Sequence, residues 1–138
     1  MNLLLDTDIL IDVALDRMPF AAESSAVLDM AQQRSFHAFI AWHSLSNFYY
    51  IVDPESHNLD SRDFIRDLLK FVEVAPTTTK EAIYAVSSNM KDFEDALQVS
   101  AAKVCAADFI VTRNVKHYKG GHVLVRTPKE LLRRLRVQ

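Results

Sequence analysis

Residues 1–5 form a short, essentially apolar run that stops at Asp6. A strand without a polar face must be covered on both sides, which is the situation of a parallel sheet held between helical layers. The same kind of segment recurs at residues 37–41, 71–74, 109–112 and 122–125. Between these runs the apolar spacing changes to that of helices. Ala22, Ala26, Val27 and Met30 predict a helix over residues 20–33, and residues 42–52 predict another, closed by Asp53-Pro54. Asp60 or Ser61 can cap a helix carrying Phe64, Ile65, Leu68 and Leu69, and Thr78 or Thr79 one carrying Ala82, Ile83 and Val86. A further helix is expected over residues 92–105, and Thr127-Pro128 has the cap-plus-proline pattern that opens a last one. Strands alternating with helices predict the α/β class: a three-layer α/β/α sandwich around a five-stranded, mainly parallel central sheet. At 138 residues the chain is long enough for a sizeable core and is expected to form one domain over residues 1–138.

In such sheets the functional crevice lies beyond the carboxyl ends of the strands, where the strand order reverses. Asp6 and the Thr112-Arg113-Asn114 turn fall at that end, and Asp108 at the opposite one. The helix over residues 92–105 is apolar almost all round, yet Asp92 and Asp95 share a stripe with Val99 and Ala102. A helix N-terminus stabilises each carboxylate by only about 0.3–1 kcal/mol, less than an unpaired buried carboxylate costs, so a cation or strong donors must lie opposite. With Asp6 as a second wall, the pattern suits a hard divalent ion such as Mg²⁺ or Mn²⁺. The competing structural role for each of these acids is a helix cap or an ion-pair partner. Asp8 and Asp12 are read as a cap and a solvated surface acid. Phe48, Tyr49 and Tyr50 are read as core or dimer interface rather than a base-stacking platform. The five histidines lack metal-ligand spacing, and His117 alone stands close to the Asn114 turn. Cys105, the single cysteine, closes a buried helix and is expected to be an inert thiol in a reducing, cytoplasmic setting.

The formal charge of −2 conceals an uneven distribution. Residues 111–138 hold eight Lys and Arg against Glu130 alone, a net +7, so the remainder carries −9. Lys129, Arg133 and Arg136 recur at helical spacing, and Arg113, Lys116 and Lys119 flank the turn at the sheet's active end. Together they are candidates for holding phosphates, the alternative being a solvated basic face or a contact for an acidic protein. No apolar run approaches the roughly 20 residues of a membrane span, and no secretory leader is expected.

Three motifs in order, Leu-Leu-Leu-Asp6-Thr-Asp-Ile-Leu-Ile-Asp, Asp92-Phe-Glu-Asp95-Ala-Leu-Gln and Ile-Val-Thr112-Arg113-Asn114, make the chain similar to the PIN-domain family, the fold of VapC-type toxins. The resemblance covers essentially the whole length. It implies a Mg²⁺- or Mn²⁺-dependent endoribonuclease whose acids hold one or two ions at the end of the sheet, with RNA as substrate and an antitoxin protein and a second copy as partners. Asp6 takes the place of the first family acid and Asp95 that of the third, with Asp92 beside it. Two family acids are replaced: the glutamate of the helix after the second strand falls at Asn47, and the aspartate after Thr-Arg falls at Asn114. An amide oxygen can orient a ligand or a water but brings no charge. The mechanism this implies has Asp6 and Asp95 holding the ion, Asp92 assisting or acting as base, and Asn47 and Asn114 orienting the shell.

Two other readings stay open on sequence. A catalytically silent PIN-like module would keep the RNA surface and lack hydrolysis. A haloacid-dehalogenase-like phosphatase would use Asp6 as nucleophile and Asp8 as the second acid, but it needs a lysine near a later strand end and a further acidic pair, whereas strand three ends in Val74-Ala-Pro-Thr with no acid and strand four in Thr112-Arg113-Asn114.

Overall fold

The computed structural model describes residues 1–55 and 60–137, with no side chain described at 137. Five strands and seven α-helices are found among the described residues. In chain order they are β1 (Asn2–Leu5), α1 (Thr7–Ala14), α2 (Ala21–Gln32), β2 (His37–Ile40), α3 (Trp42–Val52), α4 (Ser61–Leu68), β3 (Val72–Val74), α5 (Thr79–Val86), α6 (Phe93–Val104), β4 (Phe109–Val111), β5 (Val125–Arg126) and α7 (Pro128–Val137). Short 3-10 turns occupy Asp53–Glu55 and Val115–Tyr118. All strand pairs are parallel and the order across the sheet is β3-β2-β1-β4-β5. The expected three-layer α/β/α class is the observed one.

Both faces of β1 are covered, as its unbroken apolar character requires. Leu3 and Leu5 pack with Ile9, Leu10, Val27, Phe48 and Leu131 on one face. Leu4 packs with Phe39, Val99, Ala102 and Ile110 on the other. Leu4 lies in register with Phe39 of β2 and Ile110 of β4, so it sits at the centre of the sheet. Phe48 is buried and stacks on Phe64, which assigns it to the core.

The chain leaves β1 toward β2 and β3, then crosses back to place β4 and β5 on β1's other side. The reversal point therefore lies between the carboxyl ends of β1 and β4, where ligands bind in open α/β sheets. Asp6 N–H donates to Val111 O at 2.9 Å across that seam. At the opposite end Asp108 accepts from Asn2 N–H at 2.8 Å, as expected.

Two expectations need correction. The apolar pattern puts the last strand at residues 122–125, but only Val125 and Arg126 pair with β4. The pattern shows no helix over residues 7–14, yet they form α1, because Asp6 ends β1 and caps the next element in one residue, accepting from Thr7 N–H at 2.7 Å. Gly121 brings the segment after the second 3-10 turn hard against α6: a Cβ there would stand 2.9 Å from Val99 Cγ2. No helix among the described residues is long and apolar enough to cross a membrane.

Candidate active site

Asp6 is the hub of the seam. Its Oδ1 accepts from Thr7 N–H and, at 3.3 Å, from the Gln98 amide of α6. Its Oδ2 accepts from Tyr118 OH at 2.8 Å and lies 2.8 Å from Thr112 Oγ1. Four donors from four parts of the chain fix one carboxylate, close to the roughly four acceptor sites that a carboxylate has. The buried Gln98 also donates to Ser44 Oγ of α3 at 3.1 Å, and Thr7 Oγ1 donates to the same hydroxyl at 2.8 Å. This network ties α1, α3 and α6 together beneath the carboxyl ends of the sheet.

Above it opens a crevice of about 360 Å³ lined by Asp6, Asp8, Asn47, Asp92, Glu94, Asp95, Asn114 and His117, with Thr7, Ile11 and Ile51. All five residues expected to carry the chemistry, Asp6, Asn47, Asp92, Asp95 and Asn114, therefore face one space, although they come from the end of β1, α3, the start of α6 and the turn after β4. Asp92 also caps α6, accepting from Asp95 N–H at 3.0 Å. His117 Nδ1 stands 4.0 Å from Asp95 Oδ2.

The acids repel one another. Burial and the Asp6 charge push Asp8 up to about 7, against the pull of donors from Arg113 N–H and Thr112. Burial and the charge of Asp92 push Asp95 up to about 6, with further help from Asp6 and Glu94 and with His117 opposing. Glu94 is also raised, by burial, Asp6 and Asp92, while the Asn47 amide beside it favours the ionised form. A carboxylate whose folded pKa exceeds its unfolded value binds its proton more tightly in the native state, so stability falls as pH rises between the two values. In chelated buffer the protein is therefore expected to melt a few degrees higher at pH 5 than at pH 8, chiefly through the buried Asp8, with Asp95 and Glu94 largely screened by solvent and His43, lowered by burial, pulling the other way. Millimolar Mn²⁺ should shrink or reverse that gap. Thermal unfolding followed by circular dichroism checks this, and a flat or rising profile in chelator would refute it.

The donor set is all oxygen apart from His117, and Asp8 Oδ1 is buried without a hydrogen-bond partner. Among the described residues no three acid, imidazole or thiol groups converge into a ready-made cage. Such a set fits a hydrated hard cation held through one or two carboxylates and water, the usual habit of Mg²⁺, rather than a dehydrated ion enclosed by protein.

Several placements differ from expectation. Asp12 is not a solvated acid: it is fully buried, and Arg113 bridges it from Nε at 2.6 Å to Oδ2 and from Nη2 at 3.0 Å to Oδ1. Ser24 Oγ lies 3.2 Å from the same Oδ2, and the Arg113 guanidinium rests 4.0 Å from the Phe20 ring centroid. Arg113 is thus taken up by Asp12 and withdrawn from the phosphate-holding set, because a buried carboxylate needs a charged partner more than a surface does. Asp8 is no cap either; it faces the turn after β4. Lys116 and Lys119 line an adjoining basin of about 570 Å³ with Lys91, Asn89, Met90 and His117, sharing Asp92 and Asp95 with the crevice. Lys129, Arg133 and Arg136 are exposed on α7, which packs on α2. α7 starts at the crevice end and runs back along the sheet, so Arg136 lies about 10 Å farther along the axis than Lys129. His57 lies outside the described residues.

Glu94, Gln98, Tyr118 and Lys91 join the site without a sequence expectation behind them, and Asp8 joins it where the sequence offered a cap or a phosphatase acid. For Asp8 the signal is present: once α1 is read as a helix, Asp8 and Asp12 stand four residues apart on one face. Cys105 behaves as expected, a buried thiol pushed up to about 11 by burial.

A search of curated proteins by sequence returns no match. Among solved structures the fold is similar to VapBC2 from Rickettsia felis, solved bound to a DNA fragment from their promoter, at 18% identity, covering 92% of this chain and 98% of that one with a TM-score of 0.71. PAE2754 from Pyrobaculum aerophilum matches at 16% identity over 100% of this chain and 97% of that one, with a TM-score of 0.67. FitAcB from Neisseria gonorrhoeae matches at 14% identity over 92% and 98%, with a TM-score of 0.57. At these identities the likeness concerns the fold. The family model for the PIN domain matches residues 2–116, which include β1 through β4, the Asp92-to-Asp95 stretch and the Asn114 turn. On that match the chain belongs to the PIN-domain family.

Proposed function

We propose that the protein is a Mg²⁺- or Mn²⁺-dependent endoribonuclease acting as the toxin of a toxin–antitoxin pair, with an antitoxin protein as partner. One observation carries this reading: Asp6, Asp92, Asp95, Asn47 and Asn114 line a single crevice at the reversal point of the sheet, beside a basin edged by lysines. The toxin assignment draws on the likeness to VapBC2 and to FitAcB.

When bound, the cation polarises the scissile phosphate and lowers the pKa of a water. Asp6, held by four donors, fixes the inner wall. Asp95 faces it from the first turn of α6. Asp92, at the exposed start of α6, accepts the proton of the attacking water. Asn47 and Asn114 take the positions where the family carries acids, and they orient neighbours rather than add charge. Lys91, Lys116 and Lys119 neutralise flanking phosphates. The phosphatase reading is not favoured, since among the described residues no lysine lines the crevice itself.

The test is cleavage of a structured RNA by purified protein as Mn²⁺ is titrated, with an Asp6→Asn/Asp95→Asn variant alongside. Cleavage by the parent alone supports the reading. Equal cleavage by both indicates contamination, and tight RNA binding without cleavage supports the silent module.

The basic residues give a graded expectation. Lys116→Ala with Lys119→Ala should weaken RNA binding about tenfold and lower the slope of log affinity against log salt by roughly 0.7 for each phosphate that is no longer neutralised. Arg133→Ala with Arg136→Ala, farther along α7, should act in the same direction and less strongly. An unchanged salt slope in the first pair would remove the basin from the RNA path.

A further inference from the structure

We propose that Asp8 and Glu94 are cation-facing carboxylates that stand in for the two acids missing at Asn114 and Asn47, each displaced by one side chain from the family position. The inference rests on the metal-dependent reading above and concerns which groups of this chain supply its charge.

Asp8 is the stronger half. The Asn114 amide donates to Asp8 Oδ2 at 3.1 Å, Arg113 N–H donates to the same oxygen at 3.1 Å, and Thr112 Oγ1 lies 3.2 Å from it. With the Thr112 hydroxyl proton committed to the closer Asp6, two N–H donors of one turn hold this oxygen, while Oδ1 is buried and has no hydrogen-bond partner. An unpaired buried carboxylate oxygen is costly, so a carboxylate anchored on one side and unused on the other is arranged for a ligand on the free side. The contact also fixes the chemistry of Asn114, since only its NH₂ can face a carboxylate oxygen. Asn114 is therefore a positioning residue that aims Asp8, and Asp8 carries the charge at the end of β4.

Glu94 is the weaker half, placed by the crevice it lines rather than by a hydrogen-bond grip. It lies in the first turn of α6 between Asp92 and Asp95, lines the crevice with Asn47, and has the Asn47 amide beside its carboxylate. Amide and acid have exchanged helices: α3 carries the amide where the family carries the acid, and α6 supplies a carboxylate to the same crevice. Asp6 has little spare acceptor capacity, which increases the demand for further carboxylates.

Mn²⁺ binding by calorimetry on the full chain in metal-free buffer separates the cases. Asp8→Asn and Glu94→Gln should each weaken binding about tenfold, and the pair about a hundredfold. Relocating the charge, with Asp8→Asn/Asn114→Asp and Glu94→Gln/Asn47→Glu, should restore affinity to within about threefold of the parent. Singles that bind as the parent does while Asp6→Asn loses binding would overturn the proposal and leave the metal-dependent reading standing. Losses that relocation does not recover overturn the stand-in assignment. A parent that binds no Mn²⁺ at millimolar concentration overturns both. Glu94 is exposed, so its variant is not expected to disturb folding. Should Asp8→Asn melt far below the parent, Asp8→Ser provides the second measurement.

Discussion

Asp6→Asn is expected to reduce Mn²⁺-dependent RNA cleavage by on the order of 10³-fold, the equivalent of several kcal/mol of lost transition-state stabilisation. The expected size follows from the position of the side chain. Asp6 ends the central strand, its own N–H is bonded across to Val111, and its carboxylate is gripped by Thr7, Gln98, Thr112 and Tyr118. The change removes a full negative charge from the inner wall and forces one oxygen to become an NH₂ that points at donors. A stability loss of about 1–3 kcal/mol should accompany it, from the partner left unsatisfied. Asp92→Asn is the informative contrast, because asparagine caps a helix as well as aspartate does. It should leave the melting temperature nearly unchanged while lowering the rate by a smaller factor. Cleavage of a fluorogenic RNA and thermal unfolding, measured on the same preparations, distinguish these outcomes. A drop below tenfold for Asp6→Asn would take that carboxylate out of the reaction.

Arg113→Ala should cost about 3–5 kcal/mol of stability, the range for removing one partner of a buried ion pair. Asp12 is fully buried, and its carboxylate is bridged at both oxygens by this one guanidinium. Without Arg113 the acid has only Ser24 Oγ nearby and must protonate or draw in water. For a chain of this length the loss corresponds to a fall in melting temperature of roughly 10–15 °C. Arg113→Lys should recover only part of it, since an ammonium cannot reproduce the two-pronged contact or the stacking on Phe20. Arg113→Met with Asp12→Leu should recover most, because the charge left stranded is the main penalty. If Arg113→Ala lowers the melting temperature by less than about 3 °C, the pair is not the brace described here.

The layer order and the active end of the sheet are legible in the sequence because they follow from unbroken apolar strands, and a strand's two-sided burial is written in its own residues. Asp6, Asp95 and the Asn114 turn are legible for a related reason: each stands at the end of an element whose type the local pattern reveals. Helix α1 is not, since Ile9, Leu10 and Ile11 form a continuous apolar run after a strand, and only the capping bond from Asp6 shows where the chain turns. Without α1, the shared face of Asp8 and Asp12 stays hidden. Arg113 then looks available, because its partner lies 101 positions earlier in sequence. Lysines in the basin and arginines on α7 look equivalent as charge counts, yet the direction in which α7 leaves β5 separates them. Glu94 is easily passed over because the acids on either side of it already satisfy the motif. Its neighbour Asn47 lies on another helix, and no local pattern announces such a meeting.

The bonds that build the crevice join positions 92 to 112 apart, from Gln98 to Asp6 and from Tyr118 to Asp6. During synthesis, the chain must leave the ribosome through Gln98 for the first bond and through Tyr118 for the second before each has both of its halves. The crevice is therefore unformed until the segment through Tyr118 has emerged and docked on the strand that was made first.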